Sequence, residues 1–502
     1  MSKQVRNLGV FLAICYAALF VQVNRLTVFE AESLRAQPEN VRTVERDFSS
    51  PRGSIISADG QVLAQSVPSD DRFRFQREYP TRDLFGHITG YFAFELGTTG
   101  VEDSYNGYLT GDDIGFDINQ LDDLFVDRDV VGDVTLSMRS DVQQVARDAL
   151  GEQEGSVVAL DPRTGEVIAM WSFPSYDPTA LADHNFDAAE ATSDLLNADP
   201  EHPTRSRAFS EREFPGSTFK VVTATAGIEL GGVTADNPSY PVSNSYQPPR
   251  GGRPIPNFGG ASCGGTLFTI LQDSCNTAFA QMGVDTGGDE LQQTAQGFGF
   301  DRDVPLDLPG AVQSSFPAAV VDDPPTLAQA SIGQNEVQAT PLQMAMVAAA
   351  VANDGEIMTP HVMREIRDDQ GNLVEEFDRA VWARPMSPAT AGLLRDAMIS
   401  VVTDGSASRL DEGLDGFVVG GKTGTAQLGT PEPRSHAWIV GFAGPPGETP
   451  HVAVAVIVEG QPGASEQTGG RVAAPIAAAV MQRALAAPER ADQADGDPGS
   501  GG

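Results

Sequence analysis

The segment Phe214-Pro215-Gly216-Ser217-Thr218-Phe219-Lys220 runs without a break into Val221-Val222-Thr223-Ala224-Thr225-Ala226-Gly227-Ile228-Glu229-Leu230. A Pro-Gly start, an apolar run and Gly231-Gly232 as its stop predict a buried helix here. Residues three apart share a helix face, so the Ser217 hydroxyl and the Lys220 amine can meet without help from another segment. Serine is a weak nucleophile until an adjacent group takes its proton. Lysine can do so only when neutral, which requires burial or a second cation to bring its pKa from about 10.4 down to roughly 7 to 8. Among 33 Lys plus Arg, only Lys3, Lys220 and Lys422 are lysines. Elsewhere the chain uses arginine, which does not deprotonate in proteins.

Working outward, the chain downstream of this helix is loop-like over residues 233–262, rich in Pro, Gly, Asn and Ser. A helix is expected over about 266–274 and another from about 278, with Ser274-Cys275-Asn276 between them. Thr340-Pro341-Leu342 opens an Ala- and Met-rich helix to about residue 352, and residues 388–402 read as one more. Phe417-Val418-Val419-Gly420-Gly421-Lys422-Thr423-Gly424-Thr425-Ala426 reads as a strand, followed by strands at 436–442 and 452–458 and a closing helix at 472–486. Their short links imply antiparallel pairing. Upstream, Asp161-Pro162-Arg163-Thr164-Gly165 is a turn between two strands, 156–160 and 166–170. A strand at Thr135-Leu136 leads into a helix carrying Val142, Val145, Ala146 and Leu150, and residues 173–213 read as a long polar connection.

The N-terminus shows Lys3 and Arg6 ahead of an apolar run over residues 8–21. No small-x-small cleavage site follows closely, so the reading is an uncleaved signal anchor, with the basic flank cytoplasmic and the other ~470 residues outside. A buried hairpin helix is the alternative. Residues 30–133 read as a small β-containing pedestal, with Asp59-Gly60 as a hairpin turn and no cluster of catalytic residue types. The expected division is therefore 1–29 cytoplasmic tip and anchor helix, 30–133 pedestal or dimerisation-like module, 134–487 main domain, and 488–502 disordered acidic tail. A formal net charge of -36 and no basic patch argue against nucleic acid as a partner. Of three cysteines, Cys263 and Cys275 could bridge in an oxidising exterior, but two buried free thiols are the preferred reading because nothing in the sequence sets their geometry.

Three motifs thus stand in order: Ser217-Thr218-Phe219-Lys220, Ser274-Cys275-Asn276 and Lys422-Thr423-Gly424. By chance a Ser-x-x-Lys match is expected about 0.2 times and a Lys-(Ser/Thr)-Gly match about 0.04 times, so their joint occurrence in order is not accidental. The constellation resembles the penicillin-recognising serine enzymes. With Arg52-Gly53-x-Ile55, Gly60, Leu63-Ala64, the anchor and the pedestal, the chain is similar to class B penicillin-binding proteins of an actinobacterial type over nearly all its length after the anchor. The departure is Cys275 in the middle of the second motif. The resemblance implies an α+β penicillin-recognising serine transpeptidase fold, an antiparallel sheet flanked by helices plus a helical subdomain, with a β-rich pedestal and one transmembrane helix. It implies a peptidoglycan D,D-transpeptidase acting on stem peptides of a lipid-linked precursor or nascent glycan, acylated by β-lactams, without cofactor or metal. Ser217 would be the nucleophile and Lys220 its base, Ser274 a proton relay to the leaving amine, and Asn276 a partner of the substrate amide. Lys422 would lower the pKa of Lys220 and attract the substrate carboxylate, Thr423 and Thr425 would bond that carboxylate, and Gly424 would leave room for an extended peptide. Backbone N–H groups of Ser217 and Thr425 would form the oxyanion hole. A membrane glycan polymerase and division or elongation proteins are implied as partners.

A hydrolase, either D,D-carboxypeptidase or β-lactamase, is the second reading. Between Asn276 and Lys422 no Glu is followed four residues later by Asn, as a glutamate-held water of the class A kind would need. A receptor that is acylated and signals ranks third, because the cytoplasmic part is only about seven residues by the positive-inside rule. Gly260-Ala261-Ser262-Cys263-Gly264 imitates a nucleophile elbow but lacks the preceding strand that such an elbow requires. The six histidines show no metal spacing.

Overall fold

The computed structural model describes residues 3–25, 46, 48–114, 131–428, 434–461 and 467–487. The start of the expected pedestal up to residue 45, residues 115–130 and the acidic tail lie outside the described residues. Helix α1 (Lys3–Asn24) is long and apolar enough to cross a membrane. Its Leu8, Phe11, Leu19 and Phe20 side chains are exposed, which removes the buried-hairpin alternative.

The first sheet forms as the turn residues dictate. Strands β1 (Ile55–Ile56) and β2 (Val62–Pro68) are antiparallel about Asp59-Gly60, where Gly60 takes a φ of +88° that L side chains avoid. Strand β3 (Phe75–Glu78) pairs with β2, and β4 (Gly132–Leu136) lies parallel to β1. Asp59 reaches out of this hairpin to accept hydrogen bonds from the backbone N–H groups of Ser140 and Asp141 at 2.9 and 3.2 Å. Those are unsatisfied donors at the start of helix α2 (Ser140–Leu150), so the pedestal caps a helix of the main domain.

Strands β5 (Gly155–Leu160) and β6 (Val167–Phe173) follow across the expected Asp161-Pro162 turn. The long polar connection is not wholly irregular. Residues 186–198 form helix α3 (Phe186–Ala198), started by the Asn185 side chain accepting from Ala188 N–H at 3.3 Å. Only Ala189 of it is buried, so it carries no core stripe for the sequence to display.

A single 3₁₀ turn (Gly216–Phe219) opens helix α4 (Lys220–Glu229). Helices α5 (Leu267–Gln272) and α6 (Asn276–Thr286) follow, then α7 (Pro341–Ala352), whose every residue is buried and whose Thr340 hydroxyl accepts from Gln343 N–H. Strands β7 (Met363–Asp368) and β8 (Leu373–Glu376) then return to the first sheet, whose order is β8-β7-β4-β1-β2-β3. Strands from both sides of residue 133 therefore share one sheet.

After helix α8 (Pro388–Thr403) come β9 (Val418–Gln427), β10 (Ser435–Gly444), β11 (Val452–Val458) and helix α9 (Gly469–Leu485). The second sheet is antiparallel throughout, in the order β9-β10-β11-β5-β6. Every residue of β10 and β11 is buried: α9 and α7 both pack on them, with α2 packed against α9 and β6, and α8 packed against α7 and β9. Strand β9 is an edge, and the 3₁₀ turn at Gly216 packs against it.

Candidate active site

Proline at 215 and glycine at 216 bend the chain onto β9. Gly216 has a φ of +52°, and a Cβ there would stand 2.9 Å from the carbonyl oxygen of Thr425. Its N–H donates to Gly333 O at 2.9 Å, and the Thr218 hydroxyl donates to Pro215 O at 2.7 Å, closing the turn. Ser217 is left half-buried at the wall of a cleft of about 750 Å³.

One turn on, Lys220 is fully buried. Its Nζ donates to Ser274 O at 2.7 Å and Asn276 Oδ1 at 2.6 Å, and lies 3.2 Å from Ser274 Oγ. A neutral amine has two hydrogens, which the two carbonyl acceptors satisfy, and one lone pair left over. Ser217 and Lys220 share the turn as expected, but no hydrogen bond joins their side chains among the described residues. Ser274 sits between α5 and α6 with a φ of +54°, a strained conformation for a residue with a Cβ. That backbone turns its Oγ toward both lysines: Lys422 Nζ donates to Ser274 Oγ at 2.8 Å and to Thr423 O at 2.9 Å. Helix α6 starts at Asn276, two residues earlier than the apolar spacing suggests, which fixes Asn276 in its first turn.

The expectation of free thiols fails. Cys263 and Cys275 are joined by a disulfide, their Cα atoms 5.9 Å apart and within bridging reach. The strand pairing of Cys263 with Ser243 presses that loop against the start of α6, a tertiary contact with no local signal. Ser262 is exposed and precedes a short strand instead of following one, so the imitation elbow is not built.

Burial is the first cause that holds Lys220 well below the usual lysine range, and the nearby Lys422 adds to it. Burial alone brings Lys422 down to about 7. Both therefore reach the neutral form at far lower pH than a surface lysine.

The third motif lies on edge strand β9, register-paired to β10 with Lys422 opposite Val440 and Gly424 opposite Trp438. The other edge of β9 has no strand partner among the described residues, so its backbone is available to an added extended chain. Thr423, Gly424 and Thr425 line the cleft with Ser217, Ser274 and Asn276. The room a side chain at Gly424 would need is filled from within the protein, by Thr218 Cγ2 and Trp438 Cβ at 2.9 Å and Pro215 O at 3.0 Å. Glycine there serves the packing of the turn that carries Ser217. Among the cleft residues that escaped the sequence reading is Ser406, in the loop after α8, whose hydroxyl is 2.8 Å from that of Thr423. Among the described residues no three His, Cys, Asp or Glu side chains converge as metal ligands.

A helix-borne serine, two buried lysines and a glycine-backed edge strand define a serine acyl-transfer enzyme of the penicillin-recognising class. Residues 155–482 match the model of the penicillin binding protein transpeptidase domain, and residues 52–134 that of the penicillin binding protein A dimerisation domain. The chain is 37% identical to the peptidoglycan D,D-transpeptidase PbpA of Mycolicibacterium smegmatis, over 97% of this chain and 99% of that one. Its structure is similar to penicillin-binding protein A from M. tuberculosis in its ceftriaxone acyl-enzyme complex, with a TM-score of 0.80 and 35% identity over 88% of this chain and all of the other. The penicillin G acyl-enzyme complex of that protein gives a TM-score of 0.77 at 35% identity over 87% of this chain and 99% of that one. The chain belongs to the penicillin-binding protein family, as a class B member with a transpeptidase domain.

Proposed function

We propose that this peptidoglycan D,D-transpeptidase works through an acyl-enzyme on Ser217, formed from a stem peptide or from a β-lactam. The observation that carries the reading is the convergence of two fully buried lysines on one hydroxyl, Ser274 Oγ, at 3.2 and 2.8 Å beside the half-buried Ser217.

Neutral Lys220 takes the Ser217 proton as Oγ bonds to the carbonyl carbon between the two terminal D-alanines. The bond to the leaving amine then breaks, and the proton passes through Ser274 to that amine. The N–H groups of Ser217 and Thr425 hold the developing oxyanion, a contribution typically about 3 to 4 kcal/mol per donor. Asn276 orients the substrate amide, and Lys422, Thr423 and Thr425 hold its carboxylate. The substrate backbone pairs with the free edge of β9, and Gly424 keeps that strand close to the nucleophile's turn. An acceptor amine on a second stem peptide then attacks the ester and regenerates Ser217.

Helix α1 anchors the enzyme with residues 30–133 as a pedestal and 134–487 as the catalytic domain outside the membrane. A glycan-polymerising membrane protein and division or elongation proteins are its proposed partners, a reading supported by the resemblance to class B members.

The test is the intact mass of the protein after incubation with benzylpenicillin, beside Ser217→Ala. One adduct per chain that maps to Ser217 and is absent from the variant is expected. An adduct that persists for hours favours a transpeptidase over a β-lactamase. Rapid loss of the adduct with hydrolysed drug would make the enzyme a hydrolase, and an adduct retained in the variant would remove Ser217 from its role.

A further inference from the structure

His436 belongs to no motif of the mechanism, yet it is only 4% exposed at the start of β10, in register with Ala426, the residue after Thr425. Its Nδ1 accepts a hydrogen bond from the backbone N–H of Gly460 at 3.1 Å. An N–H donor at Nδ1 means that this nitrogen carries no proton, so the neutral ring bears its hydrogen on Nε2. That nitrogen lies 3.0 Å from the Glu213 carboxylate, within ion-pair distance.

Glu213 stands four residues ahead of Ser217, at the mouth of the nucleophile's turn. Its backbone is held in both directions by Ala339, at 3.0 and 2.8 Å. Gly460 ends the strand β11 side of the same junction, next to Glu459, which pairs with Arg207 at 2.9 Å. The imidazole therefore ties three pieces together: the chain leading to Ser217, the start of β10, and the exit from β11. The oxyanion hole is made of one N–H from the nucleophile's turn and one from β9, and their separation depends on how that turn is held against the sheet. Gly216, packed over Thr425, leaves no slack in between.

We infer that His436, acting through Glu213 and Gly460, is a positioning residue for acylation: it sets the placement of the Ser217 turn on the sheet without touching substrate. The inference rests on the reading of Ser217 as the nucleophile.

Acylation of the full chain by a fluorescent penicillin, followed over a range of concentrations, separates the limiting acylation rate from the half-saturating concentration. His436→Ala is expected to lower the limiting rate about tenfold to a hundredfold, the scale of an ångström-level misplacement, with little change in half-saturation. His436→Gln, whose amide can accept from Gly460 and donate to Glu213, should restore most of that loss, which a role in bulk packing would not predict. Glu213→Ala, a substitution at a partly exposed side chain, should reproduce the defect in a protein that melts close to wild type. The double variant should be no slower than His436→Ala alone, because that single change already removes the Glu213 contact. Wild-type rates in His436→Ala, losses that multiply in the double variant, or a Gln variant as slow as the Ala variant would each overturn the inference while leaving the nucleophile in place. Labelling that persists in Ser217→Ala would overturn the reading of the nucleophile and the inference with it.

Discussion

At the scale of single residues, the chemistry turns on the cost of burying an amine. Burial first, and Lys422 second, keep Lys220 deprotonated far below the usual lysine range. With Lys220 as the proposed base, acylation needs the neutral form, so its rate should fall as pH drops through the Lys220 pKa. Lys422→Gln removes one of the two causes, raises that pKa and moves the acid limb of the acylation profile to higher pH. A pH series of penicillin acylation rates in the two proteins checks this, and an unmoved limb would show that burial alone sets the base. The same linkage has a cost in stability. A lysine whose folded pKa is depressed penalises the folded state below that pKa, and the penalty fades as pH rises toward the unfolded value of about 10.4. For Lys422 that window opens near 7. The three lysines of the chain, two of them in motifs, make this legible in the sequence alone. The strained φ of Ser274 did not show, because only the junction of α5 with α6 and the pull of both amines on one hydroxyl demand it.

At the scale of elements, what the sequence displays depends on whether an element is defined by its own residues. The nucleophile's helix, the Asp161-Pro162 hairpin, α7 with its Thr340 cap, and the three closing strands carry their periodicity and punctuation locally, and they form where expected. Helix α3 buries one residue and so leaves no stripe. The disulfide and the contact of Ser406 with Thr423 join segments 12 and 17 residues apart, through packing that no periodicity reports. Gly424 shows how a motif residue can hold a packing role that its own sequence does not display. The residue abuts the turn that carries Ser217, so Gly424→Ala drives a methyl group against Thr218, Trp438 and Pro215. The protein should still fold, since β9 keeps all of its bonds to β10. Its acylation by penicillin should fall about tenfold to a hundredfold through displacement of that turn. Acylation at the wild-type rate would return Gly424 to the role of clearing space for substrate.

At the scale of the whole molecule, pedestal and catalytic domain are one folding problem. Strands β7 and β8 come from residues 363–376 and extend the sheet begun by β1, while Asp59 caps α2 and the Tyr105 hydroxyl donates to Asp307 at 2.7 Å. Asp307 in turn accepts from the backbone N–H groups of Val362 and Met363, at the start of β7. Behind this sheet lies a charge cluster removed from water, with Glu102 accepting from Arg52 at 2.5 Å and from Arg77 at 2.6 Å. Burial pushes the Glu102 carboxyl upward, but Arg77 and Arg52 together outweigh it and leave its pKa below the ordinary value. The stabilisation it supplies is present above the ordinary carboxylate range and is lost as pH falls through the lowered pKa. Glu102→Gln leaves two buried guanidinium groups without their counter-charge, a change that typically costs about 3 to 5 kcal/mol. Because the damaged sheet includes strands from both sides of residue 133, the loss should lower one common calorimetric transition, and the acid-side slope of stability should flatten. Penicillin labelling should disappear at that same lowered midpoint. An early separate transition, with labelling of Ser217 intact above it, would instead show that the catalytic domain stands without its pedestal.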